Sequence, residues 1–71
     1  MNKITAYKIQ KAIASSNFAR NCICNDYAFD LVVEGVKLEI RPYRWKYFDD
    51  GAVAHAKGWR DSDDIYFDVK F

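Results

Sequence analysis

The stretch Tyr27-Ala28-Phe29-Asp30-Leu31-Val32-Val33-Glu34-Gly35-Val36-Lys37-Leu38-Glu39-Ile40-Arg41 decides the fold. Leu31, Val33, Val36, Leu38 and Ile40 are apolar, and Glu34-Gly35 interrupts them. Closing a two-residue loop there pairs Val33 with Val36, Val32 with Lys37, Leu31 with Leu38, and Asp30 with Glu39. Gly35 can take the positive φ that such a loop needs. Successive side chains on a strand point to opposite faces, so this register collects the apolar set on one side. The other side then carries Asp30, Val32, Lys37, Glu39 and Arg41.

On the N-terminal side, residues 3 to 15 read as a helix. Ala6, Ile9 and Ile13 share one face at 100° per residue, and Lys3, Lys8 and Lys11 lie roughly opposite. Asn2 is positioned to cap its start, and Ser15-Ser16-Asn17 should end it. Phe18, Cys22, Ile23 and Cys24 suggest a short strand or an extended lead into the sheet. Asn25-Asp26 is a turn signal. On the C-terminal side, the alternation predicts strands over Ala52–Ala56 and Ile65–Phe71, with a polar loop over Gly58–Asp64.

Seventy-one residues suit a single domain spanning 1–71. So short a chain buries only roughly 60% of its unfolded surface. An apolar content of 51%, with 17% aromatics, compensates by allowing a dense core of large side chains. The net charge of +1 is too small for general electrostatic attraction to nucleic acid, so any charged surface must come from local segregation. Lys3, Lys8, Lys11 and Arg20 precede the first acid, whereas acids dominate from Asp49 onward. No secretory leader or membrane span is visible, and Cys22 and Cys24 are too close in sequence to pair well. The expected setting is cytoplasmic, without a membrane.

Two carboxylates opposite one another in an antiparallel pair have Cβ atoms about 4.5–5.5 Å apart and repel unless a cation sits between them. Asp30 and Glu39 are therefore candidate metal ligands, with Mg²⁺ as the ion and Arg41 as the third catalytic candidate. Residues 27 to 41, with the helix before them, resemble the core of the PD-(D/E)xK nucleases, the restriction-endonuclease-like and Holliday-junction-resolvase-like proteins. Asp30 matches the family Asp and Glu39 the family Glu, while Arg41 falls where the family has Lys. An arginine does not exchange a proton near neutral pH as a buried lysine can. Family members also usually continue with a further helix and strands. The resemblance thus implies a minimal, catalytically degenerate nuclease-like fold of phage or mobile-element type, interacting with DNA or a DNA-processing complex. Were it active, it would be a metal-dependent DNA endonuclease.

A second candidate surface is Arg41-Pro42-Tyr43-Arg44-Trp45-Lys46-Tyr47-Phe48. Cations here can contact phosphates while aromatic faces stack on bases. If the segment is extended, Trp45 and Tyr47 share a side. Arg41, Tyr43, Arg44, Trp45, Lys46 and Tyr47 are the candidate nucleic-acid or partner-binding residues. The plainer reading of the segment is an edge strand with its aromatics in the core. Trp, Tyr and Arg are common interface anchors, so the segment is also a candidate protein-binding surface. The alternative function, which the small size and the lack of cofactor motifs fit, is a non-enzymatic inhibitor of a host defence system, anti-CRISPR-like, acting on a host protein complex. Cys22, Cys24 and His55 fall short of a zinc site, and His55 reads as structural.

The expected architecture is α+β, with an N-terminal amphipathic helix packed on a four- to five-stranded, mainly antiparallel sheet. One face of that sheet should stay open to solvent, a partner or a second copy, which makes a homodimer a natural expectation.

Overall fold

A computed structural model describes residues 4–61 and 63–71. Helices α1 (Ala6–Ala14) and α2 (Asn17–Cys24) are followed by strands β1 (Phe29–Val33), β2 (Val36–Phe48), β3 (Gly51–Arg60) and β4 (Asp63–Lys70). The strands form one antiparallel sheet in the order β1-β2-β3-β4. The fold is α+β, with the N-terminal helix packed on a four-stranded sheet.

Thr5 caps α1 by accepting from the Lys8 N–H at 3.3 Å. The cap expected at Asn2 lies outside the described residues. Ile9 and Ile13 form the buried face of α1, with Ala6 partly buried beside them. Ser15-Ser16-Asn17 does end this helix, and Ser16 immediately starts another by capping α2 through the Ala19 N–H.

The extended segment expected over residues 18 to 25 is instead helix α2. Ala19, Cys22 and Ile23 are its buried residues, at the i, i+3, i+4 spacing of a helical stripe. The run Cys22-Ile23-Cys24 looks strand-like only because an eight-residue helix offers so little periodicity. Asp26, at φ 58°, turns the chain out of α2. Its N–H reaches the Ile23 carbonyl and the Tyr27 N–H reaches the Cys22 carbonyl, the pattern of a Schellman terminus.

The β1–β2 register is the expected one, including Asp30 opposite Glu39. Glu34 (φ 51°) and Gly35 (φ 78°) both adopt positive φ, as the tight hairpin loop demands. One further expectation holds and one is corrected. Residues 41–48 continue β2 past the end of β1 and pair only with β3, so this part of the strand is a sheet edge, as expected. The polar loop expected over Gly58–Asp64 shrinks to a tight connection around Asp61, because β3 continues to Arg60 and β4 begins at Asp63. The polarity of that stretch reflects side chains on a solvated sheet face, which the ladder tolerates.

Both helices cover the same face. Ile9, Ile13 and Ile23 are fully buried there against Leu38 and Ile40, with Phe29, Val33, Ala54, Ala56, Phe67 and Val69 completing the core. Gly58 lies where a Cβ would come within 3.0 Å of Ile40 Cδ1 and 3.4 Å of Ile9 Cδ1, so its missing side chain lets α1 settle on β3. Burying each isoleucine contributes about 1.5–3 kcal/mol. Among the described residues no helix lies over the opposite sheet face, which carries the polar members of all four strands.

Candidate nucleic-acid interface

A single extra residue organises the open face. Pro42 pairs with Ala56, but the next pair along is Arg44 with His55, so Tyr43 is a β-bulge. Before the bulge the even-numbered residues Leu38, Ile40 and Pro42 face the helices. After it the phase reverses, and Trp45 and Tyr47 face the helix side while Arg44 and Lys46 face outward. Proline is tolerated here because a bulge interrupts the ladder that its missing N–H would weaken.

The sequence-derived binding set is thereby split between the two faces. Trp45 and Tyr47 do share a side, with rings stacked at 6.0 Å and 15°. That side is the helix-bearing one, where Trp45 packs against Phe71 at 5.5 Å and donates its indole N–H to Asp26 Oδ1 at 2.6 Å, while Tyr47 extends beyond the cover and stays exposed. Arg41, Tyr43, Arg44 and Lys46 remain on the open face.

The registers of the three strand pairs arrange that face in cross-strand rows. The first is Asp30, Glu39, Trp59 and Asp64. The second is Arg41, Lys57 and Tyr66, and the third is Arg44, His55 and Asp68, with bulged Tyr43 beside it. The fourth is Lys46, Val53 and Lys70. Charge is therefore segregated along the strands. Carboxylates dominate the first row, and Arg41, Lys57, Arg44, Lys46 and Lys70 dominate the rest.

The two like-charged pairs in this array are treated differently. Asp30 and Glu39 stand directly opposite, but Asp30 Oδ2 already meets Lys37 Nζ at 3.4 Å. Arg41 lies two residues from Glu39 on the same face. Lys37 thus offsets part of the repulsion between the two carboxylates. Among the described residues no cluster of three or more His, Cys, Asp or Glu side chains is disposed to hold a metal.

Arg41 and Lys57 also stand directly opposite, and no carboxylate among the described residues forms an ion pair with either. Lys57 instead lies over the Trp59 ring, 5.1 Å from its centroid. Directly opposed like charges are destabilising unless something of opposite sign comes between them. Arg41, Pro42, Tyr43, Lys57 and Tyr66 line an open-sided pocket of about 510 Å³. The Tyr43 and Tyr66 rings meet edge to face in it, at 6.1 Å and 89°. Next to it His55 Nδ1 and Asp68 Oδ1 are 2.6 Å apart, and the His55 ring lies 6.5 Å from that of Tyr43.

Lys57, Tyr66, His55 and Asp68 were not among the site residues expected from sequence. The signal for two of them was present, since Tyr66 and Asp68 are the outward members of the alternating stretch Ile65–Phe71. What could not be seen was that β3 runs through Lys57 to Arg60 and delivers Lys57 opposite Arg41.

No family model, curated protein or solved structure matches the chain. No helix among the described residues is long and apolar enough to cross a membrane.

Proposed function

We propose that the open sheet face binds single-stranded nucleic acid. One phosphate sits between Arg41 and Lys57, and an adjoining base lies against Tyr43 and Tyr66. The observation that carries this reading is the Arg41–Lys57 pair, two cations held face to face at the mouth of an aromatic pocket with no carboxylate between them. An anion placed there relieves a repulsion instead of creating one. Arg44, Lys46 and Lys70 extend the cationic surface along the sheet for neighbouring phosphates. Base stacking on tyrosine contributes about 1–3 kcal/mol per base and tolerates any sequence. An open sheet face also suits a strand whose bases are free to splay, whereas duplex grooves call for a protruding element.

This reading keeps the nucleic-acid contact implied by the PD-(D/E)xK resemblance and moves it from the Asp30–Glu39 pair to the cationic rows. It routes no step through a metal. The test is fluorescence anisotropy with a labelled twelve-nucleotide single strand and the matching duplex. The single strand should bind more tightly, and Tyr43→Ala with Tyr66→Ala should weaken it at least tenfold while leaving the melting temperature within a few degrees. Equal affinity for both forms, or no loss in the tyrosine variant, would sink the proposal.

A second reading, protein binding of the inhibitor type, is favoured by the far end of β2, where Tyr47 is 76% and Phe48 50% exposed. The same titration separates the two, because a protein-only binder gives no oligonucleotide signal.

A further inference from the structure

His55 occupies the middle of the open face, and its surroundings are those of a proton-transfer site. Asp68 stands directly across on β4, with its carboxylate 2.6 Å from Nδ1. An ionised carboxylate only accepts hydrogen bonds, so Nδ1 donates and Nε2 is left as the nitrogen able to take a proton. Arg44 stands directly across on β2, and Lys57 is two residues along the same face of β3. Two residues of strand span about 6.6 Å, so a phosphate held by Lys57 and Arg41 lies within one side-chain length of the imidazole. The Tyr43 ring flanks the imidazole on the bulged side. A carboxylate-oriented base beside a preorganised group of cations suits general-base catalysis at a phosphate.

We infer that the face cleaves RNA without a metal ion, with His55 as general base, Arg41 and Lys57 as phosphate-stabilising catalytic residues, and Asp68 as a positioning residue. The inference rests on the nucleic-acid reading above and adds a substrate class to it. RNA carries its own nucleophile, the 2′-hydroxyl. His55 Nε2 takes the 2′-hydroxyl proton as the 2′-oxygen attacks the adjacent phosphorus. A P–O2′ bond forms, the P–O5′ bond breaks, and the departing 5′-oxygen takes a proton from water. The imidazolium then returns its proton to solvent. The products are a 2′,3′-cyclic phosphate and a 5′-hydroxyl end, with no oxidant, reductant or co-reactant consumed. DNA, lacking the 2′-hydroxyl, is bound and left intact.

The experiment incubates the protein with a 5′-labelled twelve-nucleotide RNA and its DNA counterpart in EDTA, resolves the products by gel and identifies the new ends by mass spectrometry. Binding of both strands is measured in parallel. Cleavage of RNA alone, ending in cyclic phosphate and blocked by a single 2′-deoxy substitution at the cut position, is expected. His55→Gln should lower the rate at least about 100-fold with binding changed less than twofold. Asp68→Asn should lower kcat with KM unchanged, and Asp68→Glu should recover part of the loss, which a merely structural role would not produce. Circular dichroism establishes that each variant is folded. RNA that is bound but uncut by the parent overturns this inference and leaves the binding proposal standing, as does His55→Gln cutting at the parental rate. Failure to bind either strand overturns the binding proposal itself.

Discussion

The paired replacement Arg41→Gln/Lys57→Gln tests the cationic rows quantitatively. Five cations occupy the second to fourth rows of the open face: Arg41, Lys57, Arg44, Lys46 and Lys70. None is ion-paired with a described residue, so each is available to displace a counterion from a phosphate. For single strands the logarithm of affinity falls with the logarithm of salt at about −0.7 per phosphate neutralised; one phosphate shared by Arg41 and Lys57 and one each at Arg44, Lys46 and Lys70 give a slope of about −2.8 for four contacts. Raising salt from 50 to 200 mM should then weaken binding about 50-fold. The double variant keeps three contacts, so its slope should be about −2.1 and the same change of salt should cost about 20-fold. The assay is an anisotropy titration of a labelled twelve-nucleotide single strand at four salt concentrations. Removing a directly opposed like-charge pair should leave the melting temperature nearly unchanged, with the loss of the Lys57–Trp59 contact offsetting the relief of repulsion. A variant slope equal to the parental one would refute the placement of phosphate between Arg41 and Lys57, whatever the absolute affinities.

Other consequences can be checked separately. Ile9→Ala, which empties a fully buried site above Gly58, should cost about 2–5 kcal/mol in urea denaturation. Against a total stability of about 4–10 kcal/mol for a domain of this length, a loss below 1 kcal/mol would contradict the described packing. Gly35→Ala meets no atom within 4 Å, so its expected cost of about 1–2 kcal/mol comes from the φ of 78° alone; an unchanged denaturation midpoint would mean that the loop is not held in this conformation. Cys24 is exposed and Cys22 buried, so a thiol reagent should label one cysteine rapidly and the second only on unfolding. Two equally fast labels would rule out the α2 packing. Mg²⁺ at 10 mM should shift the melting temperature by less than about 2 °C, because a site filled to 100 times its Kd would add about 2.7 kcal/mol and a far larger shift. A large shift that disappears in Asp30→Ala would restore the carboxylate pair as a metal site.

The sequence by itself determined the β1–β2 hairpin, the Asp30–Glu39 register and the buried face of α1. Each depends on near neighbours: an alternation of period two, one positive-φ glycine, and isoleucines four residues apart. Helix α2 was illegible because eight residues hold barely two turns of pattern, and three consecutive apolar residues suit a strand equally well. The candidate site needed the tertiary structure. Which side chains share the open face depends on the Tyr43 bulge, which reverses the alternation within β2 and sends Trp45 and Tyr47 toward the helices while Arg44 and Lys46 turn outward. The Arg41–Lys57 pair and the His55–Asp68 pair join residues sixteen and thirteen positions apart, in strands whose registers are set by the whole β2–β3–β4 ladder. Local propensity carries no information about such partners, because cross-strand neighbours are chosen by the cooperative pairing of entire strands against a common core.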